Sequence, residues 1–132
     1  MNIFDGKLVD EKSFAYKDLM GFDRWNDFAP GFTGLTVVGA TNYSGRFRRT
    51  GKMAQVQVRF SATTSVAAVA GTTYLELPIA AKGLSGMGVM TNLTTNIGVG
   101  LCHVDVVNSR LWLPSQAASI SVFTLFAEYE VI

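Results

Sequence analysis

Cys102, His103 and Asp105 are the side chains of this sequence best suited to reactive chemistry, and their spacing limits what they can do. In an extended strand, adjacent side chains point to opposite faces, so Cys102 and His103 cannot form a local thiol–imidazole pair. His103 and Asp105 do share a face, and a serine brought near them would complete the outline of a hydrolytic triad. A triad is recognised by three-dimensional geometry, however, and two residues at i, i+2 occur on any strand. The plainer reading is a partly exposed strand pair with no catalytic role.

Metal and phosphate chemistry meet similar objections. One His and one Cys, with no second pair at ligand spacing, cannot build a structural zinc site. Asp5, Asp10 and Glu11 offer oxygen ligands but lack the spacing of a calcium-binding loop, and they read as a solvated or docking surface. The glycines of "GLSGMGVM" and "NIGVGL" resemble pieces of a phosphate loop. Neither completes G-x-G-x-x-G, and neither is followed by a Lys-Ser/Thr pair or a helix. Glycine within strands marks bends and close backbone approach instead. Asn42-Tyr43-Ser44 and Asn92-Leu93-Thr94 are glycosylation sequons, but "MNIFDGKLVDEK" has no apolar core of a secretory signal, so they read as coincidental. No cofactor, metal or small-molecule substrate is expected.

The remaining chemical feature is basic. Arg46, Arg48, Arg49, Lys52 and Arg59 are five of the eleven bases, whereas six of the ten acids lie within the first 27 residues. Phe47, set between Arg46 and Arg48, would suit phosphate contacts with stacking. A net charge of +1 is unlike a nucleic-acid binder, and the acidic N-terminal stretch competes for the arginines. The arginines therefore read as a solvated face or a protein-docking patch, in which opposite charge on a partner sets register and partner choice.

The elements that carry these residues are mostly strands. The 132 residues fit one domain. Short runs rich in Val, Thr, Ile, Phe and Tyr are broken by Gly, Asn, Ser and Pro from Phe32 onward. Strands are expected at 35–38, 45–50, 53–63, 73–77, 86–90, 97–107, 110–113 and 120–131, with hairpin turns at Thr50-Gly51-Lys52 and Asn108-Ser109. The stretches "SVAAVAGTT" and "LPSQAAS" read as loops. Within 97–107 the apolar parity switches from Ile97, Val99 and Leu101 to Cys102, Val104 and Val106, as a bulge near Cys102 or a strand buried on both faces would require. Val58 belongs to the alternating core face of 53–63. The predicted fold class is all-β, an antiparallel jelly roll or sandwich of about eight strands, over residues 32–132.

Residues 1–31 form an expected N-terminal arm, with a helical turn or two over 11–20. The arm is rich in aromatics, unlike a disordered tail. Phe4, Phe14, Tyr16, Phe22 and Trp25 are its candidate interface anchors, Arg46, Arg48 and Arg49 the candidate charge partners. The strand 120–131 is apolar on both faces at its start, which makes Val122 and Phe126 candidate intersubunit contacts. Charged residues are 16% of the chain and hydrophobic ones 48%, a balance that suits a surface partly covered by another protein.

Phe28, Pro30, Thr33 and Gly34, then Tyr43, Gly45, Phe47 and Gly51, then Tyr74, Leu77 and Pro78, then Leu113, Pro114, Tyr129 and Glu130, together resemble a jelly-roll module of tailed-bacteriophage virion proteins, matched over about residues 28–132. The resemblance implies a non-enzymatic, oligomeric structural protein. In a chain that begins with Met and carries no stalk, it implies a capsid decoration (cement) protein on the virion surface, assembled in the bacterial cytoplasm. Its expected partners are the major capsid protein and sister subunits in a homodimer or homotrimer, with no nucleic acid and no membrane. The alternative it allows is a receptor-binding tip of a tail fibre, with binding loops at 66–72 and 82–86. The arm is the departure from the module.

Overall fold

The computed structural model describes residues 24–83 and 86–131. The described chain is all-β, with 66% of it in strands and no helix, and the strands form an antiparallel curled sheet, a half-barrel. Ten strands occur among the described residues: β1 Asn26–Phe28, β2 Phe32–Thr33, β3 Thr36–Val38, β4 Thr41–Thr50, β5 Met53–Ala68, β6 Tyr74–Glu76, β7 Gly86–Asn92, β8 Ile97–Asp105, β9 Arg110–Trp112 and β10 Gln116–Glu130. Their hydrogen-bonded order is β1-β4-β5-β10-β7-β8-β9-β6-β2, with β3 paired to β5 off that path.

The alternation of 53–63 does what its period requires. Ala54, Val56, Val58 and Phe60 are buried, and so are Phe123, Leu125, Ala127 and Tyr129 directly opposite them on β10. Each fully buried Val, Leu or Phe contributes roughly 1.5–3 kcal/mol over its exposed state. Phe32 lies at the far end of the strand order, yet its ring meets Phe60 at 5.4 Å and Phe123 at 5.9 Å. That contact requires the sheet to curl until its end strand lies over its middle. Leu75, Leu111 and Val104 line the curled side and complete the core.

The structure changes several boundaries. Two strands, β1 and β2, lie where the sequence suggested none; β1 is the final part of the expected arm, paired to β4 at Asn26–Phe47, Asp27–Arg46 and Phe28–Gly45. The loop expected over 65–73 is partly strand: Ser65–Ala68 continue β5 because β3 pairs with 65–67. The loop expected over 113–119 likewise ends early, since β10 starts at Gln116, opposite Ala68. The parity switch in β8 is a bulge. Gly98 faces Thr91 and Gly100 faces Met90, which leaves Val99 as the extra residue, three positions before Cys102. The β4–β5 turn is the expected one, with Gly51 at φ 61°. The helical turns expected over 11–20 lie outside the described residues.

Candidate protein interface

The strands of the main sheet have their even-numbered or odd-numbered residues on the core, and the other set builds the outer face. Register fixes its composition. One row across the sheet reads Arg46, Gln57, Phe126, Val89, Leu101; the rows beside it read Arg48, Gln55, Glu128, Met87 and Ser44, Arg59, Thr124, Thr91. The face is therefore basic and polar over β4 and β5 and apolar over β7 and β8.

At the basic end the side chains are held in place. Arg46 Nε donates to Gln57 Oε1 at 2.9 Å and Arg48 Nε to Gln55 Oε1 at 2.7 Å, while Gln55 Nε2 donates to Glu128 Oε2 at 3.2 Å. The Trp25 ring lies 4.5 Å from the Arg46 guanidinium carbon and 4.8 Å from that of Arg48. A guanidinium at this distance from an indole face is attracted by the ring quadrupole, by about 0.5–1 kcal/mol where exposed. Strand β1 brings Trp25 there, because Asn26 and Asp27 pair with Phe47 and Arg46. Beside this cluster runs a groove of about 390 Å³ whose walls include Asp27, Ser44, Arg46, Gln57, Arg59, Thr124 and Phe126. At the apolar end Met87 is 60%, Val89 40% and Leu101 73% exposed.

A second aromatic–guanidinium cluster occupies the opposite end of the strand order. Arg110 lies 4.3 Å from the Tyr74 ring centre, which meets Trp112 at 4.8 Å. Here acids accompany the base. Glu76 Oε2 is 3.7 Å from Arg110 Nε, an ion pair too long for a hydrogen bond, and that buried nitrogen has no hydrogen-bond partner among the described residues. Asp105 accepts from Trp112 Nε1 at 3.3 Å, from Asn108 Nδ2 at 3.0 Å, and from the backbone N–H groups of Val107 and Asn108. The Asn108 side chain leads these donors in lowering the Asp105 carboxyl to about 2. Asp105 thus organises the β8–β9 turn, with His103 exposed two residues earlier.

The structure brings together some of the expected site residues and separates others. Trp25, Arg46 and Arg48 meet on the outer face, and Phe126 lines the groove beside them. Val122 is half-buried, opposite Ser61. Arg49 has the opposite parity and stands apart from Arg46 and Arg48, its Nε donating to the Gly51 carbonyl at 2.9 Å. Phe47 turns to the core side, its ring 5.8 Å from Phe28. Phe4, Phe14, Tyr16 and Phe22 lie outside the described residues. The sequence places Gln57 and Arg59 on the polar face of their strand, but the reading missed that Met87, Val89 and Leu101 share that face. For the last three the signal was present: "GMGVM" and "GVGLC" are apolar at both parities, which a strand with one wet face would not be.

The lone thiol is chemically quiet. Cys102 is buried on the core side, and burial pushes it up to about 12. Comparison of the chain with protein-family models, with curated proteins and with solved structures gives no match.

Proposed function

We propose that this chain is a non-enzymatic assembly protein, a capsid cement protein of the jelly-roll type that bridges neighbouring capsomers on a bacteriophage shell. The observation that carries the proposal is the outer face, where Met87, Val89 and Leu101 stand exposed in one patch that continues through Phe126 into a basic groove. An apolar patch rimmed by polar groups is characteristic of protein–protein surfaces. The curled sheet suits the jelly-roll reading, and several motif residues have packing reasons to be as they are. Gly45 lies beneath Phe28 and Pro30, where a Cβ would come within 2.8 Å of the Phe28 ring, and Tyr129 is buried with its hydroxyl donating to the Ile79 carbonyl at 2.9 Å.

A bridging protein works by burying surface on two neighbours at once. At ~25 cal/mol per Å² of apolar surface, an interface of standard size, ~1,600 Å², supplies enough for specific association. Ordering of side chains and loss of rigid-body freedom take back much of it. Arg46 and Arg59 would choose an acidic neighbour and set register, and the apolar patch would supply affinity.

The test is co-sedimentation of the purified chain with shells of the parent phage, with copies per particle counted on a quantitative gel. High-copy association, weakened by Leu101→Asp, is the expected result. Absence of the chain from shells, or its presence in only a few copies per virion, would remove the cement reading.

A further inference from the structure

The exposed apolar groups of the outer face are centred on one strand, β7. Val89 has Phe126 of β10 on one side and Leu101 of β8 on the other. In the next row Met87 stands at the centre, with Glu128 of β10 on one side. The register that pairs Gly88 with Cys102, and sets Gly86 against Val104, places His103 of β8 on the other side. One row is thus apolar throughout. The other runs from a carboxylate through an apolar group to an imidazole, and it is complementary to its own reversal.

A surface that complements its own reversal fits a second copy of itself, as an isologous two-fold contact requires. Two outer faces stacked at the ordinary sheet spacing of about 10 Å, with the axis along β7, set Met87 and Val89 on their own counterparts. Phe126 then meets the other copy's Leu101, and Glu128 meets the other copy's His103, each contact occurring twice. Glu128 Oε2 accepts from Gln55 Nε2, and a carboxylate has room for further donors. An imidazole N–H supplies one whether or not the ring is charged. His103 is exposed, and its side chain has no hydrogen-bond partner among the described residues. An axis along the rows would instead lay β4 and β5 on their own copies, arginine against arginine, and like charges facing each other are costly.

We infer that β10, β7 and β8 form the contact of a homodimer whose two-fold axis runs along β7. The inference rests on the outer face being the binding face proposed above, and it divides that face between two partners. The apolar strip takes the sister subunit and the basic groove takes the shell. The sheet curls around Phe32, Phe60 and Phe123, so its outer side is convex. Two convex sheets touch along their middle strands and diverge toward β5 and β4, which leaves the groove at Arg46 and Arg59 open on each copy. The dimer therefore presents two grooves, one for each of two neighbouring capsomers. Three strands at ~4.8 Å spacing, with the seven residues of β7 at ~3.4 Å each, make a contact well below the ~800 Å² per partner of a standard interface. The pairing is weak in solution and is reinforced once both grooves are held on one shell.

Sedimentation velocity of the full chain, from micromolar to millimolar concentration, tests this. A monomer–dimer equilibrium is expected, about tenfold weaker in His103→Glu and in Glu128→Lys. The two changes together exchange the groups and should restore the dimer. Leu101→Asp is expected to be monomeric throughout, with the circular dichroism of each variant unchanged. A chain that is monomeric at every concentration overturns the inference, and so does a dimer indifferent to Leu101→Asp. Failure of the double change to restore what the single changes weaken overturns the axis along β7. The same proteins are assayed for shell association. A monomer that still binds shells sinks the dimer and leaves the cement reading standing; a dimer that ignores shells does the reverse.

Discussion

Val58 and Arg59 are neighbours in β5 and point to opposite sides of it. Val58 is 2% exposed and faces Leu125 across the sheet, in a layer where every partner is apolar. Arg59 is exposed beside Thr124 and Ser44, at the edge of a groove that the described residues leave open. The same backbone thus carries one face whose apolar groups are matched across the core and another whose apolar groups, Met87, Val89 and Leu101, stand exposed among the described residues. The inner face reports what the fold needs. The outer face carries apolar surface in excess of that need, and the proposed docking role rests on that excess.

Perturbations of the two faces sharpen the contrast. The largest effect belongs to Val58→Asp, which places an unpaired charge in the core, and no cooperative unfolding transition should be visible by far-UV circular dichroism. Alkaline pH acts on the same face. Burial lifts the Cys102 thiol from 9.0 and the Tyr129 phenol from 10.0, each to about 12. Both are neutral when protonated and titrate later in the fold than in the unfolded chain. Their contribution is therefore complete below pH 9 and is lost as pH rises toward 12. For Tyr129 the loss amounts to roughly 3 kcal/mol; urea midpoints measured between pH 8 and 11 should fall, and those of Tyr129→Phe should fall less over the upper part of that range.

Gly45→Ala comes next. Its new methyl meets Phe28 Cε1 at 2.8 Å and Pro30 Cγ at 2.9 Å, and overpacking of this kind costs about 1–3 kcal/mol, read as a lower denaturant midpoint. Since Phe28 belongs to β1, the same change should loosen Trp25 from Arg46 and Arg48, with a shift in tryptophan fluorescence. The smallest expected effect on stability is that of Leu101→Ser, within about 0.5 kcal/mol, because the side chain is exposed. A stability loss well beyond that would show Leu101 to be part of the core and would collapse the distinction between the faces.

The core was legible because alternation has a period of two and the sequence keeps it. Ala54 to Phe60 and Phe123 to Tyr129 are each legible as one apolar face of a strand; that they lie side by side on the same face of the sheet is fixed by the pairing of β5 with β10. The extension of β5 through Ser65–Ala68 was not legible, since Ala-rich runs have little strand preference of their own and this one is held by pairing with β3 and β10. The bulge announced itself as a parity switch, but a switch marks the place only to within a few residues, and Val99 rather than Cys102 is the extra one. The interface was half-readable. The arginines stood out by composition, but which of them share a face with Trp25 depends on the pairing of β1 with β4, a contact about twenty residues apart that no local pattern specifies.

Among the described residues the two ends of the strand order are occupied by three residues, Asn26–Phe28, and by two, Phe32–Thr33, while the longest strands lie between them. A stubby border strand has few amides and carbonyls of its own with which to continue the ladder, one of the ways in which sheets discourage edge-to-edge growth. A contact made broadside leaves the ladder unextended, and the exposed Met87, Val89 and Leu101 lie on such a broad side rather than on a border.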